Sequence, residues 1–220
     1  MRLVVPESLQ RNHPNVAERG YEETGEYLLR LFANRIGKQD LSGVDVLDVG
    51  CGVRFTQAIV NRGIPIRSYT GVEVSSAIVD FLTENVRDPR FRFAHWDVGN
   101  AMYHPSGPAL SPAADIPVAG RYDLIVMYSV LTHTHARDAG ALLQILRRHV
   151  RDGGRLIFTA FLDDALDGFE DRDPEHPLLL ATYGTRFMRS LVAGAGWAVD
   201  ALHRRDPENL VQAHFVCSPH

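Results

Sequence analysis

Three carboxylates stand at the ends of three successive apolar runs, and a glycine turn follows the first. Asp48 lies in Val46-Leu47-Asp48-Val49, just ahead of Gly50-Cys51-Gly52. Glu73 closes the next run, 21 residues past Gly52, and Asp97 follows the third. A buried strand that runs through a glycine turn into a helix brings backbone N–H groups and a positive helix end close to a ligand. A carboxylate at the end of the second strand accepts hydrogen bonds from both hydroxyls of a ribose. So far the pattern also fits a nicotinamide dinucleotide. That fingerprint wants a third glycine three positions after the second, where this chain has Phe55. A carboxylate beside the first glycine suits an ammonium group and suits a pyrophosphate poorly. With Asp97 placed to accept from an adenine amino group, the three acids describe an adenosine with a cationic tail.

A second set could handle a proton. Of ten histidines, His133 and His135 fall in Leu131-Thr132-His133-Thr134-His135, after a fourth apolar run. Ligands of open α/β sheets sit at the carboxyl ends of strands. Imidazole titrates near neutrality and suits removal of a proton from a hydroxyl. His133 is the first candidate for general base and His135 the second; a structural role in packing the loop is the competing reading. Asp163 and Asp164, after the fifth run, are hard oxygen donors able to hold Mg²⁺. A solvated acidic loop is the plainer reading of that pair.

The elements that must position these groups alternate in type. Leu28, Leu31, Phe32 and Ile36 recur at helical spacing and predict a helix over 22–36. Strands are expected at 44–49, 69–74, 91–94, 122–128 and 155–160, with helices at 54–62, 77–86 and 139–150 between them. Ser75 or Ser76 is available as a helix N-cap. Asp152-Gly153-Gly154 reads as a turn. A helix at 185–193 and strands at 197–202 and 210–217 complete the chain. Two stretches lack any period: 103–120, rich in Pro, Gly and Ala, and 163–183, acidic and Pro-containing. Loops of that length are usually functional or disordered.

Taken in order, these segments resemble the class I S-adenosylmethionine-dependent methyltransferases. VLDVGCGVRF is similar to their first motif, YTGVEVS to the second, FRFAHWDVGN to the third and YDLIVMYSVLTH to the fourth. RRHVRDGGRLIFTAF resembles the motif around their fifth strand, and AGWAV the turn into the final pair. One departure is Arg54, where many members carry a third glycine. The resemblance implies a Rossmann-like, doubly wound, seven-stranded and mainly parallel sheet, order 3-2-1-4-5-7-6, with an antiparallel last strand and helices on both faces. It implies one domain over 1–220, with an N-terminal helical cap at about 1–40 and acceptor-site insertions at about 101–120 and 163–184. It places S-adenosylmethionine against Asp48, Gly50, Cys51 and Gly52 at the methionine end. Glu73, Val74 and Ser75 would meet the ribose, Asp97 and Val98 the adenine, and Tyr128 and Ser129 the sulfonium.

The acceptor is read from less. Asn100-Ala101-Met102-Tyr103-His104-Pro105-Ser106-Gly107 resembles an insert of methyltransferases in sugar and polysaccharide pathways. QAHFVCSP is similar to the end of the same group, the sugar O-methyltransferases of the mycobacterial methylmannose polysaccharide type. That resemblance implies a sugar or mannoside acceptor. Carbohydrate sites use aromatic faces with His hydrogen-bond partners, so Tyr103 and His104 are candidate substrate-binding residues, and Tyr21 on the early helix is a third that could close over the site. An N- or O-methyltransferase of a natural product or lipid stays open, as does a cofactor-binding protein that does not turn over. No Asn-Pro-Pro-Tyr or Asp-Pro-Pro-Tyr follows the fourth strand, which disfavours amide or nucleobase nitrogen.

Composition narrows the partners. Net charge is −4, so no global basic field attracts a nucleic-acid backbone. The 23 basic residues include a single lysine, Lys38, and the arginines are scattered rather than clustered. Cys51 and Cys217 suggest neither a disulfide framework nor a zinc pattern. The start lacks a secretory core, and no run approaches the roughly 20 apolar residues of a membrane span. A cytoplasmic enzyme is expected. The oligomeric state is not readable, and a homodimer stays open.

Overall fold

The computed structural model describes residues 2–10, 20–173, 175–204 and 212–220. After a short 3-10 turn at Glu7–Leu9 come helix α1 (Tyr21–Arg35), strand β1 (Leu41–Val49), α2 (Arg54–Arg62), β2 (Ile66–Glu73), α3 (Ser76–Asn85) and β3 (Phe91–His95). Next are β4 (Tyr122–Met127), a 3-10 turn at Leu131–His133, α4 (Ala136–Arg147), β5 (Val150–Asp163), β6 (Phe169–Asp171), β7 (Ala181–Gly184), α5 (Thr185–Gly194), β8 (Trp197–His203) and β9 (Ala213–Pro219). The chain is a Rossmann-like α/β fold.

Strands β3, β2, β1, β4 and β5 pair in that order, all parallel. Antiparallel β9 adds to β5 and is flanked in turn by antiparallel β8. That is the order 3-2-1-4-5-7-6 expected of seven strands. The difference is an extra hairpin, β6–β7, inside the stretch 163–183 expected to be irregular. β5 runs 14 residues, beyond the expected 155–160, and its last three pair with β7 in parallel. Strands of three and four residues (FED, ATYG) are too short to show a period of two, so no pattern announced them. The Asp152-Gly153-Gly154 turn is instead a kink within β5, with Gly153 at φ 75° and an irregular register against β4. The expected last strand began at 210; positions 210 and 211 lie outside the described residues.

Alternation along the strands divides the core into two faces. Leu47, Val49, Ile125, Met127, Leu156 and Phe158 face α4, α5 and the segment carrying Leu110 and Ile116. Val46, Leu124, Val126 and Ile157 face α1 and α2, where Leu28, Phe32, Phe55 and Ile59 wait for them. At the opposite end from the strand carboxyl termini, Arg67 and Arg151 each bridge Asp45 and Asp123. No helix among the described residues is long and apolar enough to cross a membrane.

Among the described residues of the expected N-terminal cap, the helical ones are those of α1 and the short 3-10 turn. Leu3 and Val5 pack on Cys51, Val53 and Leu82, and Asn61 grips both backbone groups of Leu3. α1 lies hard against α2 at Gly25: a methyl there would stand 2.8 Å from Ala58 Cβ and 3.0 Å from the Arg54 carbonyl oxygen. Gly140, inside α4, would meet only Leu191 at 3.6 Å. The two sites therefore predict opposite signs. Gly140→Ala gains about 1 kcal/mol from helix propensity. Gly25→Ala gains the same amount but loses about 2–3 kcal/mol to overpacking. Urea midpoints should rise for the first variant and fall for the second.

Candidate active site

Glu73 sits at the carboxyl end of β2 and is 3% exposed. Its Oε2 accepts the Gly52 N–H at 3.0 Å, and its Oε1 accepts the Val74 and Ser75 N–H groups at 2.9 and 3.3 Å. The carboxylate thereby ties the turn after β1 to the start of α3. Gly50 and Cys51 donate to the Val72 carbonyl at 2.8 and 3.1 Å. These three N–H groups of the turn therefore bind β2, rather than standing open to a ligand as the glycine pattern suggested. The turn needs its glycines: Gly50 has φ 71°, and a Cβ there would stand 2.6 Å from the Val130 side chain. Ser75 takes the N-cap position of α3 but makes no side-chain capping bond.

A cleft opens above the strand ends, on the face that α4 covers. It measures about 770 Å³ out to its mouth. Its lining includes Val49, Gly50, Glu73 and Val74 from the ends of β1 and β2, Trp96, Val98 and Tyr103 from the chain after β3, Ser129, His133 and His135 from the chain after β4, Leu142 of α4, and Leu178. Ser129 has φ 59°, a strained setting for a residue with a side chain. It is held by its N–H to Thr159 Oγ1 at 2.7 Å and by Gln212 Nε2, which donates to its hydroxyl at 2.9 Å.

The two histidines differ in tautomer. His133 Nδ1 lies 3.1 Å from the Leu178 carbonyl oxygen. A carbonyl only accepts, so Nδ1 carries the proton and Nε2 of the neutral ring carries the lone pair. The His133 ring also meets Tyr103 edge to face, at 5.8 Å. His135 is the N-cap of α4, and its Nδ1 accepts the Arg137 N–H at 3.2 Å. Its neutral ring therefore carries the proton on Nε2 and is a donor there. Of the pair, His133 alone is set as a base through Nε2.

Asn100, which sequence reasoning noted only as part of an insert, pins that insert to the histidine loop. Its Oδ1 accepts the Met102 and Tyr103 N–H groups, and its Nδ2 donates to the His133 carbonyl, all at 3.0 Å. Gly107 lets the returning chain cross Gly99, since a Cβ at 107 would stand 2.7 Å from the Val98 carbonyl carbon. The Asn-x-x-Tyr spacing carried this signal, because Asn side chains commonly cap the N–H two residues on. Leu178 gave no signal.

Several expected residues lie elsewhere. Asp48 shares the parity of Val46, so it faces α2 behind the glycine turn. It is 1% exposed and accepts the Tyr69 hydroxyl at 2.5 Å. Tyr128 shares the parity of Val126 and packs on Phe32 and Phe55, with the Arg54 guanidinium between its ring and that of Tyr21. Neither Tyr21 nor Tyr128 is part of the cleft wall, and neither are Cys51 and Gly52. Asp97 is turned outward, its side chain 65% exposed, and pairs with His104 Nε2 at 2.7 Å; its neighbour Val98 is the residue that reaches the cleft. Asp163 pairs with Arg172, and Asp164 with Arg204 at 2.6 Å. The Arg172 hydrogen bond holds the Asp163 carboxyl below its ordinary range, and hydrogen bonds from Thr185 and then Arg204 do the same for Asp164. Among the described residues no three His, Cys, Asp or Glu side chains converge as a metal site.

A family model described as a methyltransferase domain matches residues 21–202, and the chain belongs to that family. Its fold is similar to that of a glycopeptide N-methyltransferase complexed with sinefungin, at TM-score 0.60 and 15% identity, covering 89% of this chain and 94% of that one. It is similar to a TehB-like SAM-dependent methyltransferase from Corynebacterium glutamicum, at TM-score 0.60 and 14% identity, covering 94% and 93%. It also resembles magnesium protoporphyrin IX methyltransferase from Synechocystis with bound SAM, at TM-score 0.57 and 13% identity, covering 97% and 88%.

Burial pushes the Asp48 carboxyl up to about 7; the Tyr69 hydrogen bond opposes the rise and the Glu73 charge adds to it. The folded state therefore holds a proton that the unfolded state releases at its ordinary, lower value. The stability this brings is complete below that ordinary value and is lost as pH rises to about 7. Asp48→Asn keeps an acceptor for Tyr69 and carries no charge. Its stability advantage over the parent should widen from about pH 4 and level off near 7, at a few kcal/mol. Urea titrations across that range check it; an advantage that shrinks as pH rises would contradict the assignment.

Proposed function

We propose that the chain is an S-adenosylmethionine-dependent methyltransferase that methylates a hydroxyl of a small molecule, with a sugar or oligosaccharide such as a mannoside as the favoured acceptor. The observation that carries this reading is one cleft lined both by a ribose-type carboxylate, Glu73, and by an imidazole with its lone pair on Nε2, His133. Three backbone N–H groups hold the Glu73 carboxylate in place at the end of β2, beside the glycine turn.

In this reading Gly50, Glu73 and Val74 hold the sugar of the cofactor, and Trp96, Val98 and Leu142 cover its apolar faces. Ser129 meets the sulfonium end. Asp48, Cys51, Gly52, Ser75 and Tyr128 act one layer back, by holding the turn and the end of β4 in place. When bound, the cofactor supplies a methyl group on a cationic sulfur. The residues of the chain then bring the acceptor oxygen in line and remove its proton. His133 Nε2 takes that proton as the bond to the methyl carbon forms. Tyr103 offers an aromatic face to a sugar ring, and His135 Nε2–H a donor to its other hydroxyls. The insertions at about 101–120 and 163–184 form the acceptor side, with His104 and Asp97 at its rim.

The test is transfer of labelled methyl to a panel of mannosides, other sugars, phenols and amines. Sugars should lead. His133→Gln should lower kcat by roughly 10²- to 10⁴-fold while leaving cofactor affinity intact. Preferred transfer to amines, or an undiminished rate in His133→Gln, would sink the hydroxyl reading.

A further inference from the structure

We propose that Asp171 is a positioning residue for His133, acting through the backbone of Leu178. The role as positioner of a base rests on the reading of His133 given above. Two residues other than glycine have positive φ among the described residues, Ser129 and Leu178, and both line the cleft. Leu178 has φ 62°. A left-handed setting is unfavourable for a leucine, so something outside the residue must hold it there. Its N–H donates to Asp171 Oδ2 at 2.7 Å. Its carbonyl accepts the His133 Nδ1–H at 3.1 Å.

These two bonds lie on different peptide planes. The Asp171 carboxylate fixes the plane before Leu178, and the left-handed turn then aims the plane after it at the imidazole. Asp171 is itself well placed to act as the fixed end. It is the last residue of β6, paired with Ala181 of β7, and the next N–H, of Arg172, donates to the Leu180 carbonyl at 3.2 Å. The hairpin is tied to the histidine loop a second time by the Tyr183 hydroxyl, which donates to the Thr134 carbonyl at 2.5 Å. A third tie is Phe169, whose ring lies 4.8 Å from that of His135. The extra hairpin thus sets the tautomer of His133, and Asp171 is its setting point. A carboxylate that only closed the loop would leave that tautomer alone when removed.

The experiment reads the ring nitrogens of His133 in ¹⁵N-labelled protein, at a pH of about 8, where an ordinary imidazole is neutral. The His133→Gln variant identifies its signals. The parent should show the proton on Nδ1. In Asp171→Ala the ring should move toward the Nε2–H form, and kcat should fall roughly 10- to 100-fold with cofactor affinity unchanged. Asp171→Asn keeps an oxygen acceptor for the Leu178 N–H and should restore both readouts. Asp171→Ser, too short to reach that N–H, takes the place of the alanine variant if the latter does not fold. A ring that stays Nδ1–H with parental kcat in the variant lacking the acceptor overturns the proposal. A changed tautomer with unchanged kcat upholds the positioning and overturns His133 as base.

Discussion

A carboxylate almost wholly removed from water needs donors, and Glu73 finds three in backbone N–H groups from two different elements. One belongs to the turn after β1 and two to the entrance of α3. The bond to Gly52 forms only if the chain reverses sharply after Val49, which is why Gly50 must take positive φ with no side chain facing Val130. With that joint made, the ends of β1 and β2 are held level. The cleft then opens beside them, on the α4 face, and the loop after β4 adds Ser129, Val130 and His133 to its lining.

Much of this was legible in the chain. The apolar runs gave the seven main strands, and the resemblance carried by the motifs in sequence implied their order. The glycine turn with its spacing to Glu73, and the position of His133 after the fourth run, pointed to residues that line the cleft. Three things were not legible. The β6–β7 hairpin is too short for periodicity to show, and it is stabilised by contacts to β5 and the histidine loop, distant in sequence. Asp48 and Tyr128 were placed in the site by motif, although strand parity puts both on the face of Val46 and Val126. Asp97 sits beyond the end of β3, where no ladder fixes its direction, and its carboxylate turned outward to His104.

The tautomers of the two histidines follow from local backbone geometry rather than residue type. His135 caps a helix, so its Nδ1 must accept. His133 lies two residues earlier on a 3-10 turn and faces a carbonyl, so its Nδ1 must donate. The two insertions meet at this second ring. Asn100 of the first grips its backbone, and Leu178 of the second grips its side chain. Their irregular composition and their convergence are connected. Segments that contribute backbone groups and strained turns to a site need Pro, Gly and Asn more than they need an apolar stripe.

The most direct test of the account is calorimetric titration of the parent chain and Glu73→Ala with S-adenosylmethionine and, separately, with NAD. The account predicts micromolar binding of S-adenosylmethionine to the parent, its loss in Glu73→Ala, and no binding of NAD to either. Binding of NAD in preference, or S-adenosylmethionine affinity that survives Glu73→Ala, would contradict it.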